Sequence, residues 1–226
     1  MKQVRIVVEG ATEHGFVRAV LAPWLSARGV LAHADLVGQV GHKGGNVRWE
    51  RLGRDIVRTL KRYPEAHCST MVDFYGLPKG FPGKDDAPAN ASGCAKAQKV
   101  EDAVRSAVLA EMSGGFNPGR FIPYVQAHEF EALLFSAPAF LAGTFPAQKP
   151  LEERLLAIRG EFATPEDIND RRDTSPSHRI LGLVAGYKKA YHGPLVAKEI
   201  GLDRMRHECP HFDQWVSRLE SLGTAV

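Results

Sequence analysis

Short apolar runs alternate with longer amphipathic stretches over the first 135 residues. The short runs predict strands, and the stretches with apolar residues three or four positions apart predict helices. The predicted strands are residues 4–9, 35–40, 69–73 and 120–126. The predicted helices are residues 13–28, 47–62, 95–112 and 128–135.

Prolines and glycines interrupt this pattern. Pro23 lies inside the first predicted helix and is expected to kink it. Pro123 lies inside the fourth predicted strand, which favours a sheet edge or a bulge at that point. Residues 77–93 are rich in Pro, Gly, Asp and Lys and predict a long irregular loop, which in a compact domain is usually functional or mobile.

This alternation of strands and helices predicts an α/β fold. Right-handed crossovers would give a mainly parallel sheet of about four strands flanked by helices, of the Rossmann type, over residues 1–136. Residues 137–226 predict a helical C-terminal extension packed on that core. Its candidate helices are residues 151–160, 177–183, 194–200 and 212–222.

Composition fits an ordinary soluble protein. Of the 226 residues, 24% are charged and the net charge is +3, which is compatible with a polyanionic partner. Cys68, Cys94 and Cys209 are widely spaced and show neither a zinc pattern nor a disulfide framework. The chain shows no signal-peptide pattern and no apolar run long enough to span a bilayer, so we expect a cytoplasmic protein that does not bind a membrane.

Carboxylates end two of the predicted strands. Glu9 ends the first strand, Thr12 is placed to cap the following helix, and Glu13 lies in the first turn of that helix. Asp73 ends the third strand. Because parallel strands bring their carboxyl ends to one edge, these acids are expected to meet there. The alternative is that Glu9 caps a turn and Glu13 only complements the helix dipole.

A third acidic group follows the fourth predicted strand. In a helix, His128 and Glu131 would share one face, with Glu129 turned away by about 100°. We therefore expect either Glu129 or Glu131 to reach a metal ion and the other to bind a neighbour. His128 is a candidate catalytic residue, and the alternative is a helix cap or a hydrogen-bonded core histidine.

These carboxylates suit a magnesium site. Mg²⁺ typically takes one or two carboxylates together with waters and substrate phosphates, which is the chemistry of phosphodiester hydrolysis. Phosphoryl transfer also needs a cation near the developing charge. Lys43, in a glycine-rich turn after the second strand, is the best-placed candidate. Arg179, Lys188 and Lys189 are further candidates, for which solvated surface charge is the more common explanation.

Two motifs resemble a known fold. Val8-Glu9-Gly10-Ala11-Thr12-Glu13, followed by Val72-Asp73-Phe74-Tyr75, is similar to a Toprim domain. This metal-binding α/β fold is shared by topoisomerases, primases, ribonuclease-maturation enzymes and the overcoming-lysogenization-defect nucleases, and the first motif most resembles the last group. The whole chain also resembles an uncharacterised bacterial family with this core. The stretches that carry this second resemblance are Tyr75-Gly76-Leu77-Pro78, His128-Glu129-Phe130-Glu131 and Cys209-Pro210-His211-Phe212.

The Toprim resemblance implies roles for these residues. Glu9 would be a metal ligand or general acid/base, Asp73 the first carboxylate of a D-x-D pair, and Glu13 the second acidic position of the defence nucleases. The second Asp of that pair is replaced by Tyr75, so one ligand is missing unless Glu129 or Glu131 supplies it. The resemblance also implies Mg²⁺ or Mn²⁺ as cofactor, DNA or RNA as substrate, and an ATPase partner in phage defence.

Three functions follow from these expectations. The first is a Mg²⁺-dependent nuclease, the second a catalytically reduced regulatory or binding module, and the third another phosphoryl-transfer enzyme acting on a nucleotide. The positions of Glu129 and Glu131 discriminate between the first two. Carboxylates that share a cation with Glu9 and Asp73 favour the nuclease, and carboxylates directed into the C-terminal half favour the module.

Overall fold

A five-stranded parallel sheet forms the centre of the molecule. The computed structural model describes residues 1–38, 44, 47–88, 91–112, 114–148, 150–168 and 172–224. The strands are β1 Lys2–Val8, β2 Val30–Leu36, β3 His67–Asp73, β4 Phe121–Ile122 and β5 Val125–Gln126. Their order is β2-β1-β3-β4, and β5 also pairs with β3. The predicted α/β fold with a mainly parallel sheet is therefore confirmed.

Helices cover the sheet and form most of the C-terminal half. The N-terminal helices are α1 Ala11–Phe16, α2 Ala22–Ser26, α3 Trp49–Arg62 and α4 Gly93–Glu111. The C-terminal helices are α5 Pro138–Gly143, α6 Leu151–Gly160, α7 Pro176–Leu183, α8 Lys189–Ile200, α9 Leu202–Glu208 and α10 Pro210–Thr224. Short 3-10 helices lie at Pro118–Arg120, Phe130–Ser136, Pro165–Asp167 and Arg172–Thr174. None of the helices in these described ranges is both long and apolar enough to cross a membrane.

Two predicted strands differ in their bounds. The second strand is Val30–Leu36 rather than residues 35–40, of which 39 and 40 lie outside the described residues. Among the described residues it pairs only with β1, and most of its side chains are partly buried, so its apolar pattern is weak. The fourth predicted strand is divided into β4 and β5, because Pro123 has no N–H to donate. At the break, Thr70 Oγ1 donates to the Tyr124 carbonyl at 2.8 Å and accepts from the Tyr124 N–H at 2.9 Å.

The first helix contains a π-helical segment near Pro23. Helical backbone runs from residue 11 to residue 26, but Val17–Leu21 is a π-helical segment. The Ala22 N–H bonds the Val17 carbonyl five residues earlier. Because Pro23 lacks a donor and its ring crowds the preceding turn, a wider turn relieves the conflict. The helix begins after Gly10, so Thr12 lies within the first turn and is not the predicted cap.

Apolar side chains fill both faces of the sheet. On one face, β1 contributes Val4, Ile6 and Val8 to a core shared with the first helix and the C-terminal helices. On the other face, Val7 joins a core with α3 and α4. The C-terminal half is anchored through Trp215 of α10, whose ring stacks on Tyr124 with centroids 4.2 Å apart.

Candidate active site

Glu9 and Asp73 follow neighbouring strands and meet at the carboxyl edge of the sheet. β1 and β3 are paired through Val8 and Met71, and Glu9 is the residue that follows β1. The Glu9 carboxylate turns across this edge, where Oε2 accepts the Asp73 backbone N–H at 3.1 Å. Burial raises the pKa of Glu9, and the neighbouring charge of Glu129 adds to the shift. Two strand ends that were separate in the sequence therefore form one acidic corner.

Glu13 is the third carboxylate of this corner. Its Oε2 accepts the Gly10 N–H at 2.9 Å, so the side chain folds back over the start of α1. Only 5% of the residue is exposed. Burial, reinforced by the charges of Glu9 and Glu131, raises the pKa of Glu13 to about 7. Glu13 thus lies in the first helical turn as expected and faces the other carboxylates.

Asp73 is held by the segment that follows β5. Its Oδ1 accepts the Phe130 N–H at 2.9 Å, at the start of the 3-10 helix Phe130–Ser136. Burial raises the pKa of Asp73 well above its ordinary value, and the charges of Glu13, Glu9 and Glu131 add to this shift. The structure therefore concentrates negative charge around Asp73.

Glu129 is directed toward the C-terminal half. Its Oε2 accepts the Ser177 N–H at 2.9 Å and its Oε1 accepts the Ser177 hydroxyl at 3.0 Å, both at the start of α7. Lys189 Nζ lies 3.5 Å from Oε1. Burial alone would raise the pKa of Glu129, but Lys189 and the Ser177 hydrogen bonds outweigh it and lower the pKa.

Glu131 shares the same lysine. Lys189 Nζ lies 3.3 Å from Glu131 Oε2, and the Glu131 side chain is 1% exposed. Glu131 Oε1 and the Tyr187 hydroxyl are buried without a hydrogen-bond partner among the described residues. Burial raises the pKa of Glu131, and Glu129 adds to the shift while Lys189 opposes it. Among the described residues, Glu129 and Glu131 thus share the ammonium group of Lys189, and Glu131 keeps one buried oxygen without a hydrogen-bond partner.

Lys189 reaches the carboxylates because α8 crosses close to α1. A Cβ atom on Gly15 would lie 2.8 Å from Pro194 Cγ, and one on Gly193 would lie 3.0 Å from Thr12 Cγ2. Side chains at these two positions would force the helices apart. Burial lowers the pKa of Lys189, but Glu131, Glu129 and Asp73 outweigh it and the net shift is upward. The close packing therefore places a cation of the C-terminal half at the edge of the sheet.

We call Glu9, Glu13, Asp73, Glu129 and Glu131 the carboxylate cluster. Within the part of the chain that is described, no three His, Cys, Asp or Glu side chains are grouped so that they could enclose a metal ion. Among the described residues, the backbone N–H groups of Asp73 and Phe130 donate to Glu9 Oε2 and Asp73 Oδ1. The carboxylate cluster could therefore supply one or two carboxylates to a metal ion, and the ammonium group of Lys189 lies beside it.

His128 occupies an unusual backbone position. Its φ angle is +61°, in the left-handed region, and its carbonyl accepts the Tyr75 N–H at 2.9 Å. Its ring is packed against the start of α4, since a Cβ atom on Gly93 would lie 2.7 Å from His128 Nε2. The α-helix predicted from residue 128 is wrong, because this turn delays the helix to Phe130 and makes it 3-10. The face shared by His128 and Glu131 in that prediction does not form.

The turn after β3 closes over Glu9. A Cβ atom on Gly76 would lie 3.0 Å from Glu9 Oε1, so only glycine leaves that oxygen undisturbed. Tyr75, which replaces the second Asp of the resemblance, is 39% exposed. Lys43 lies outside the described residues. The adjacent Gly44 is described, and a Cβ atom there would lie 3.5 Å from the Glu9 carbonyl oxygen.

Lys189 is the functional candidate that sequence reasoning undervalued. It was one of several cations explained as surface charge, and nothing local distinguishes it from Lys188. Ser177 and Tyr187 gave no signal at all. Both Glu129 and Glu131 are directed to the C-terminal half, through Ser177 and Lys189, so the geometric criterion set above favours the binding module.

Comparison with known proteins identifies the family to which the chain belongs. No curated protein and no solved structure matches the chain. One family, described as a domain of unknown function (DUF4276), matches residues 8–220. The match includes every member of the carboxylate cluster and Lys189. Because it covers nearly the whole sequence, the chain belongs to the DUF4276 family.

Proposed function

We propose that the protein is a metal-dependent phosphodiesterase that hydrolyses nucleic acid at the carboxylate cluster. The observation that carries this proposal is the meeting of Glu9 and Asp73 at the ends of two paired parallel strands. Ligands bind at this edge in open α/β sheets. Glu9 and Asp73 are also the residues to which the Toprim resemblance assigns the metal. The same resemblance implies an ATPase partner in phage defence.

The donor set fits a hard divalent cation. One oxygen of each key carboxylate is fixed by a backbone N–H, from Asp73 to Glu9 and from Phe130 to Asp73. The second oxygen of each would bind the ion, since Mg²⁺ accepts one or two carboxylates with waters and substrate phosphate at the remaining positions. The crowding of Glu13 against these acids further favours a cation, which would relieve their repulsion.

The metal would activate a water molecule and neutralise charge on the reacting phosphate. The side chains divide the remaining tasks. Glu9 and Asp73 would hold the ion. Lys189 would contact a phosphate oxygen, since its side chain is 41% exposed while its ammonium group is fixed by two carboxylates. In this proposal Glu129 and Glu131 position Lys189 and do not replace the missing Asp of the D-x-D pair.

A specific observation favours a second candidate function. Glu129 is bound by the Ser177 N–H, the Ser177 hydroxyl and Lys189, all from the C-terminal half. This arrangement fits a binding module in which the cluster ties the two halves together and holds an ion or a partner without hydrolysis. The two functions predict different results in one experiment: the phosphodiesterase hydrolyses nucleic acid and the binding module does not.

A cleavage assay tests the proposal. Plasmid, linear duplex DNA and single-stranded RNA are incubated with Mg²⁺, Mn²⁺ or EDTA and the wild type, Glu9→Gln or Asp73→Asn. We expect cleavage that requires metal and falls by about a hundredfold or more in both variants. Glu152→Gln, an exposed glutamate on α6, is the matched control and should cleave as the wild type does.

Metal binding is measured separately from activity. Mn²⁺ at a hundred times its dissociation constant should stabilise the wild type by about 2.7 kcal/mol. We expect this stabilisation to be lost in Glu9→Gln and Asp73→Asn. Stabilisation without turnover on any substrate would favour the module, and cleavage that persists equally in Glu9→Gln would exclude the proposed site.

A further inference from the structure

Helix α3 carries a row of cations on its outer face. Leu52, Ile56 and Leu60 are buried against the sheet, whereas Arg54, Arg58, Lys61 and Arg62 are exposed. These four cations line a groove of about 710 Å³. The groove is completed by Trp49, Gly53 and Val57 of the same helix and by Glu50 and Glu111. Among its lining residues, positive charges therefore outnumber negative charges by four to two.

Most of this charge is not neutralised within the protein. Arg58, whose side chain is 52% exposed, lies 3.4 Å from Asp55. Arg54, Lys61 and Arg62 form no ion pair with any residue in the described ranges. Arg54, Lys61 and Arg62 thus lie within about two turns on the exposed face of α3. Residues 54 to 62 span about 12 Å of the α-helix axis. Each strand of a DNA duplex carries one phosphate per ~3.4 Å of duplex axis, so this length corresponds to three to four nucleotides.

The groove adjoins a second cavity beside the loop that follows Gly76. A second cavity of about 370 Å³ lies between Arg48, Trp49 and Glu50 and the loop that contains Pro78 and Phe81. It shares Trp49 and Glu50 with the groove. The Trp49 ring meets Phe81 edge-on, with centroids 5.9 Å apart. The same loop begins beside Gly76, which lies against Glu9.

We propose that the α3 groove binds the phosphate backbone of the nucleic acid and leads it to the carboxylate cluster. The substrate class rests on the proposed function. The assignment of the groove as the binding surface rests on its charge and on the two residues, Trp49 and Glu50, that it shares with the second cavity. An extended polyanion fits both, because the uncompensated cations form a row and the second cavity adds Arg48 and Lys79 beside it.

The test is salt-dependent binding in EDTA, where no cleavage occurs. Fluorescence anisotropy of labelled duplex and single-stranded 20-mers is measured between 50 and 200 mM salt for the wild type and Arg54→Gln/Lys61→Gln/Arg62→Gln. Arg58 is kept because it pairs with Asp55. We expect at least tenfold weaker binding and a salt slope shallower by ~0.9 for each removed cation on duplex, or ~0.7 on single strands.

The matched control removes the same charge elsewhere. Arg154→Gln/Lys198→Gln/Arg218→Gln changes three exposed cations of the C-terminal helices. Equal losses in the two triple variants would overturn the proposal, because net charge alone would explain them. Failure of the wild type to bind DNA or RNA at 50 mM salt would also overturn it and would point to an acidic protein as the occupant. Both variants should melt within a few degrees of the wild type.

The two proposals fail in different ways. If the wild type binds through the groove but cleaves nothing in Mg²⁺ or Mn²⁺, the nuclease fails and the groove stands. If the wild type cleaves and the groove variant cleaves with unchanged KM, the groove fails and the nuclease stands. We expect the groove variant to raise KM on 20-mers while kcat is retained.

Discussion

Replacing Glu13 with glutamine should stabilise the metal-free protein above neutral pH. Glu13 is buried, and its Oε2 accepts the Gly10 N–H, which the amide oxygen of glutamine can accept in the same way. The substitution therefore keeps the hydrogen bond and removes the negative charge. It tests whether burial and the neighbouring carboxylates disfavour a charge at this position, as the raised pKa of Glu13 indicates.

The size of the effect follows from the pKa of Glu13. The pKa rises from 4.5 to about 7 through burial and through the charges of Glu9 and Glu131. A raised carboxyl pKa contributes nothing below about pH 4.5 and destabilises progressively up to about pH 7, because the folded state then binds more protons than the unfolded state. The full shift corresponds to about 3 kcal/mol above pH 7. Because neighbouring carboxylates titrate together, we expect a gain of about 1–3 kcal/mol.

The assay is thermal and urea unfolding at pH 5 and pH 8 in EDTA. At pH 8, Glu13→Gln should raise Tm by roughly 3–10 °C, and at pH 5 the gain should be much smaller. Glu152→Gln is the control and should change neither value. Equal destabilisation by Glu13→Gln at both pH values would refute the reasoning, since it would show that the carboxylate is needed for its hydrogen bond and is not repelled.

Three other changes have defined outcomes. Gly76→Ala would place a methyl group 3.0 Å from Glu9 Oε1, so it should weaken Mn²⁺ binding at least tenfold in calorimetry while changing Tm little. Lys189→Met leaves buried carboxylates without their cation and should destabilise the protein by about 1–2 kcal/mol at pH 8 and by less at pH 5, measured by urea unfolding. Burial lowers the pKa of His211, but Glu101 at 2.9 Å outweighs it and the net shift is upward. The pair therefore stabilises the fold below about pH 6.5 and loses this effect as pH rises through the raised pKa, so Glu101→Gln should cost about 2 kcal/mol more at pH 6 than at pH 9 in the same assay.

Control variants and contrary results distinguish these effects from a non-specific loss of folding. Gly143→Ala, at a helical glycine where a Cβ atom meets nothing within 4 Å, should leave Mn²⁺ binding unchanged. Unaltered binding in Gly76→Ala would show that Glu9 Oε1 does not face the ion. A Lys189→Met protein as stable as the wild type at pH 8 would contradict the role of the lysine. A pH-independent effect of Glu101→Gln would show that His211 is neutral in the fold.

The local pattern determined the sheet and its acidic edge. The three residues before Glu9 and the five before Asp73 are buried, and these short runs identified parallel strands whose carboxyl ends meet at one edge. The prediction was weaker where burial is partial. β2 lies at a sheet edge, and its apolar signal was displaced toward Val37, which is buried beyond the end of the strand.

The cation at the site was decided by tertiary structure alone. Lys189 carries no local signal, and it reaches the carboxylates because Gly15 and Gly193 let α8 cross close to α1. The directions of Glu129 and Glu131 were likewise set by long-range partners, since a left-handed turn at His128 cancels the helical face that spacing suggested. Periodicity reports which face of an element is buried. It does not report which distant charge is packed against that face. The sequence therefore predicted the sheet edge at which the carboxylates lie, and only the tertiary structure placed Lys189 beside them.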